Sequence, residues 1–155
     1  MSLKRTITIG AVVLLAFTVA WNHDTLRPQE LFANTGGRTM KITRVYTGTD
    51  NKSHFEDIEV ELKDGGKAGF MSSLQKATGV VFRETDGSYN FDFHNAPRRQ
   101  YVVNLEGEVE IEVGDGTKRL LRSGDILLAE DTIGQGHISR AVGGKPRKSL
   151  FITLD

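Results

Sequence analysis

The chain contains no cysteine, which excludes disulfides, thiolate metal ligands and a cysteine nucleophile. That absence leaves the compartment open, because exported proteins also do without cysteine. Charge of one sign is missing too: twenty Lys and Arg balance twenty Asp and Glu over 155 residues. With no net field, and no basic patch interleaved with aromatics, no nucleic-acid partner is expected. Neither a phosphate-loop nor a dinucleotide glycine pattern is present. Gly-x-Ser-x-Gly is lacking as well, and Ser123-Gly124 falls in an ordinary hairpin turn. Long helix-period segments are scarce, and there is no internal repeat or low-complexity tract.

Glycine, by contrast, is abundant at seventeen residues, and short apolar-polar alternations fill the space between turn signals. Strands are predicted over Ile42 to Thr47, His54 to Leu62, Thr78 to Glu84, Gln100 to Leu105, Glu108 to Val113, Lys118 to Leu121, Ile126 to Ala129, Gly136 to Val142 and Ser149 to Leu154. Phe70 to Lys76 is ambiguous and reads as a helical turn. The clearest strand sets Val109, Ile111 and Val113 against Glu108, Glu110 and Glu112, the mark of one buried and one solvated face. Gly114-Asp115-Gly116 then closes a hairpin. Eight or more short strands with short turns predict an all-β sandwich or barrel, a single domain over 40–155.

The N-terminus is organised differently. Lys4 and Arg5 precede an uncharged run from Ile7 to Trp21. That run is shorter than the roughly 20 residues of a spanning helix. Residues 1–21 read as a secretory signal peptide, with Ala20 at the cleavage position, or as an uncleaved membrane anchor. The protein is then exported, periplasmic or secreted, or held at a membrane. If translation instead starts at Met40, it is cytoplasmic. Residues 22–39, polar and irregular with Pro28 and Gly36-Gly37, read as a linker.

Of four histidines, two flank the best-patterned strands. His94 stands in Phe93-His94-Asn95-Ala96-Pro97-Arg98-Arg99-Gln100, and His137 ends Gly134-Gln135-Gly136-His137. Together with Gly107 and Gly124-Asp125-Ile126-Leu127-Leu128-Ala129, these stretches resemble the cupin superfamily from about Phe82 to Leu154. The family's first motif is His-x-His, then Glu, then Gly; its second begins Gly-Asp and ends in His. Here His94 is followed by Ala96 where the second His would stand and by Gln100 where the Glu would stand, while Gly107 keeps the register. The resemblance implies a cupin-type double-stranded β-helix, or jelly-roll barrel, preceded by the short N-terminal hydrophobic segment. It also implies a small-molecule ligand in the barrel and a homodimer.

In the family, residues like these converge on one ion. The resemblance therefore makes His94, Gln100 and His137 candidate ligands for a divalent metal (Fe, Mn, Ni or Zn), with His94, Ala96, Gln100 and Arg98 sharing the face of one strand. Two His and a neutral amide are a reduced form of the two-His-one-carboxylate arrangement. Ala96 leaves a vacancy that His54 or Glu130 is placed to fill. Arg98, beside Pro97, is either solvated or grips an anionic substrate, and Arg83 is either an outer-face charge or an inward anchor for substrate. Asp131 reads as a turn residue bonding its own backbone, and the Glu108, Glu110, Glu112 stripe as a solvated face. Two functions follow: a metal-dependent enzyme of oxygenase, isomerase or lyase type, or a metal-free module that binds a small polar ligand.

Overall fold

The computed structural model describes residues 37–154. The signal or anchor segment, and all but the last three residues of the expected linker, lie outside them. Eleven strands and one short turn of 3-10 helix make up the described residues. The strands are β1 (Arg38–Thr47), β2 (Ser53–Asp64), β3 (Phe70–Met71), β4 (Gly79–Thr85), β5 (Asn90–His94), β6 (Gln100–Glu106), β7 (Val109–Glu112), β8 (Lys118–Leu121), β9 (Ile126–Glu130), β10 (His137–Ala141) and β11 (Arg147–Thr153). The helical turn expected over Phe70 to Lys76 falls instead at Gly66–Ala68, where Asp64 Oδ1 accepts from the Gly66 N–H at 2.8 Å. Two residues expected in the linker, Arg38 and Thr39, belong to β1.

Four antiparallel pairs define the topology. They are β7 with β8, β6 with β9, β5 with β10, and β4 with β11. Each pair encloses the one before it, so residues 79–153 form one long hairpin rolled around an axis. Rolling brings β11 against β6 and β10 against β7 and closes two sheets, β4-β11-β6-β9 and β5-β10-β7-β8. This is a jelly roll. Ahead of it, β1 joins β9 in parallel, and β2 and β3 extend the large sheet to seven strands.

Alternation decides what lies between the sheets. Val102, Val109, Ile111, Val113, Leu121 and Leu127 bury there with Val45, against Phe55 and Phe151. The next residue on β9, Leu128, joins Ile42 and Leu154 in a second cluster. β9 is thus apolar on both faces, as a strand in the middle of an extended sheet must be. The glutamate stripe stays on the outer face of β7, where Arg140 and Lys118 pair with Glu110 and Glu112.

Two chain reversals carry the strands from one sheet to the other at one end of the roll. Residues 95–99 lead from β5 to β6, and residues 131–136 lead from β9 to β10. They are tied together: the Ala96 N–H donates to the Asp131 carbonyl at 3.3 Å, and Asn95 Nδ2 donates to the carbonyls of Asp131 at 3.1 Å and Ile133 at 2.8 Å. Gly136 has φ +74°, and a Cβ there would lie 2.2 Å from the His94 carbonyl oxygen. Glycine is required on both counts.

Candidate functional site

A cavity of about 780 Å³ opens inside the roll, within the size range of small-ligand pockets. His94, Gln100, His137, Arg98 and Arg83 all line it. The expectation that His94, Ala96 and Gln100 lie along one strand is corrected. β5 ends at His94 and β6 begins at Gln100, because Pro97 donates no backbone hydrogen bond and the chain reverses between them. His94 therefore enters from the small sheet and Gln100 from the large one. Ala96 is buried in the reversal and also lines the cavity.

The two histidines are cross-strand partners on β5 and β10, with ring centroids 4.4 Å apart. His94 Nδ1 lies 2.8 Å from the Asp92 carbonyl oxygen. A carbonyl only accepts, so Nδ1 carries the proton and Nε2 keeps its lone pair. Phe91 stacks on the ring at 3.8 Å. Burial pushes the His94 pKa below the ordinary histidine value, with the charge of Arg83 acting in the same direction. At neutral pH His94 is an uncharged acceptor.

His137 is held more strongly. Its Nδ1 lies 2.6 Å from Asp131 Oδ2, and both residues are buried. That contact occupies Nδ1 and leaves Nε2 as the other polar atom of the His137 ring. Asp131 is the residue beside the candidate site that the sequence reading left as a turn. An acidic residue opening a loop reads as a solvated turn, and only the alternation Ala129, Glu130, Asp131 hinted that Asp131 shares the inward face of Ala129. Asp131 Oδ1 is buried with no hydrogen-bond partner among the described residues.

Glu130 points the other way. Its carboxylate binds Arg44 Nε at 2.6 Å and Arg99 Nε at 2.8 Å. Burial alone would raise its pKa, but the two arginines outweigh it and hold the carboxyl below its ordinary value. His54 does not line the cavity either. It bridges Asp50 at 3.0 Å and Asp115 at 3.1 Å, joining the β1–β2 turn to the β7–β8 turn. Neither residue fills a place beside Ala96.

The donor set can therefore be weighed against a resident divalent ion. Two imidazoles and one amide line the cavity without a carboxylate, and the described residues contain no group of three His, Asp or Glu able to hold an ion. Asp131 is committed to His137. The lining carries Arg83, Arg98 and Arg147 but no Asp or Glu, a positive surrounding that disfavours a dication. These residues do not fit a tight metal centre. They suit hydrogen bonding to a polar ligand, with proton acceptance at His137 supported by Asp131.

No family model and no curated protein matches the sequence. Solved structures do. A conserved Klebsiella pneumoniae protein with a double-stranded β-helix domain matches at 20% identity and TM-score 0.40, over 60% of this chain and 72% of that one. The Schizosaccharomyces pombe Cnp3 cupin domain matches at 8% identity and TM-score 0.42, over 76% and 84%. A Streptococcus pyogenes protein of unknown function matches at 19% identity and TM-score 0.40, over 54% and 71%. The jelly roll itself rests on the strand pairing described above.

Proposed function

We propose that the chain is a cupin-type protein that binds a small polar molecule in its cavity without a resident metal, with His137 as the proton acceptor toward that molecule. The carrying observation is the buried Asp131–His137 pair at 2.6 Å. A carboxylate taken out of water is costly unless it is partnered, and here it is spent on orienting one imidazole at a cavity wall. Neutral His94 supplies a second acceptor beside it, and Gln100, buried and without a side-chain partner among the described residues, offers both a donor and an acceptor.

The test is a thermal-shift screen of small polar metabolites on tag-free protein, with metal analysis of the same sample. The reading expects saturable stabilisation by at least one metabolite, lost in His137→Gln. Stoichiometric metal that disappears in His94→Ala would overturn it, as would large saturable shifts from metal ions with none from metabolites.

One observation favours the second reading, a divalent ion on His94, Gln100 and His137. Each imidazole is anchored through Nδ1 and leaves Nε2 over, the way metal-bound histidines are held. The metal analysis separates the two. The homodimer is proposed at β4, an edge of the large sheet among the described residues that exposes Val80, Val81 and Phe82, since unpaired edges favour strand addition. Sedimentation that shows a monomer at every concentration would refute it.

A further inference from the structure

Arg147 has no place in the reading above, yet it is the most deeply buried charged side chain in the cavity lining, at 6% exposed. It begins β11, where inward positions alternate as Arg147, Ser149, Phe151 and Thr153. Its Nε donates to Asn104 Oδ1 at 2.7 Å. Asn104 is itself held from the other side, donating to the Gly107 carbonyl at 2.8 Å. The guanidinium is thus fixed in direction by a residue of β6. No carboxylate pairs with it, and its two Nη groups have no acceptor among the described residues.

Arg83 stands nearby on β4, likewise without a carboxylate. Its guanidinium lies 5.0 Å from the centre of the Tyr89 ring and 5.3 Å from that of Phe151, which holds it over aromatic faces inside the roll. The two charges repel. Burial, with Arg83 adding to it, pushes the Arg147 pKa down to about 10, so it is still protonated at neutral pH. Opposite Arg147 in the β4–β11 register stands Thr85, whose buried Oγ1 has no hydrogen-bond partner among the described residues. Folding has placed two like charges on one cavity wall with unused donors and no counter-charge. Such an arrangement is costly unless a ligand supplies the missing anion.

We infer that Arg83 and Arg147 form a clamp for the carboxylate of a small organic acid, whose body lies along the apolar wall of Val81, Val102, Leu127 and Phe151. A planar guanidinium matches a carboxylate in two parallel hydrogen bonds, and Arg147 has its Nη groups left for them. Arg83 contributes the second charge. This inference rests on the cavity reading above and names its substrate class; His94 and His137 then meet the other polar group of the acid.

The experiment measures thermal shift and calorimetric binding of benzoate, succinate and inorganic phosphate, against benzamide and succinamide, at constant ionic strength. Saturable binding of benzoate or succinate is expected, with the matching amide at least tenfold weaker. Arg83→Gln, a half-buried position where folding is not at stake, weakens the carboxylate at least tenfold, and Arg147→Gln does so more strongly. If Arg147 only braced Asn104, its variant would lower the melting temperature without changing the preference for carboxylate over amide, and that outcome overturns the clamp. Phosphate binding without carboxylate binding overturns the organic-acid assignment. Amides that bind as well as acids, and that no longer bind to His137→Gln, would sink the clamp and leave the cavity reading standing. Binding indifferent to His137→Gln but abolished by Arg83→Gln would do the reverse.

Discussion

Two histidine–carboxylate groups in this molecule look alike on paper and behave oppositely. At the surface, His54 bridges Asp50 and Asp115, and the hydrogen bond it donates to Asp50 leads the raising of its pKa. In the cavity, His94 and His137 stand 4.4 Å apart, and the one carboxylate there, Asp131, bonds His137 and not His94. Burial there pushes the pKa of His94 down. The same side chain is thus a cation that fastens two turns in one place and a neutral acceptor facing a cavity in the other. Solvent access and the number of nearby carboxylates decide which.

The largest expected effect comes from separating the cavity histidines. Gly136→Ala adds a Cβ against the His94 carbonyl at a positive φ, and should cost about 3 kcal/mol, read as a drop in urea midpoint. It should also abolish ligand-dependent thermal shift. An alanine variant of unchanged stability would mean that the two reversals are not locked together. Next in size is Asp131→Ala, which removes the side-chain partner of His137 Nδ1 and should cost about 2 kcal/mol of stability, read as a drop in urea midpoint.

Smaller, but sharper for the comparison, is the titration of the rings. By NMR, His54 should titrate above 6.5 and His94 below it; the reverse order would break the contrast. The signs then follow for stability. The contribution of His54 is fully present below pH 6.5 and is lost as pH rises through its raised folded value. His94 acts the other way: stability falls as pH drops below 6.5, because the unfolded chain takes up the proton more readily. The destabilisation of His54→Gln should therefore be largest near pH 5.5, below about 1 kcal/mol as for other exposed pairs, and should vanish by pH 9. The smallest effect is Asp115→Asn, about 0.5 kcal/mol at pH 6, since Asp50 remains to hold His54.

The strands that alternate cleanly were legible in the sequence. Val109, Ile111 and Val113 set β7, and Lys118 to Leu121 is β8 residue for residue. β5 was not, because its phenylalanines, Phe91 and Phe93, stay largely exposed and Asp92 breaks the apolar signal. His94, Gln100 and His137 could be placed near one another from motif spacing, since glycines and strand lengths fix which residues reach the end of a barrel. Asp131 and Arg147 could not. Both are charged residues at the ends of turns, where solvent exposure is the ordinary outcome, and only the pairing of distant strands buries them. Arg147 in particular follows Lys145-Pro146, and the strand expected there starts two residues later, which put that arginine outside the fold. His54 and Glu130 were offered as neighbours of the vacancy at Ala96. Glu130 is carried outward by the alternation of β9, and His54 is drawn to two aspartates in neighbouring turns.

The nested pairing of the roll also has a temporal meaning. Only β7 and β8 are close along the chain; each further winding closes a longer loop, at a larger entropic cost. β4 with β11 is the outermost winding, and β5 with β10 the one inside it. Arg83 and Arg147 sit on the first of these and His94 and His137 on the second, so the polar side of the cavity is carried largely by the two windings that close the longest loops. A molecule bound there would work as a latch on the open end of the hairpin. Its binding should slow amide exchange in β4 more than in β7, far from where any conventional stability core would be sought.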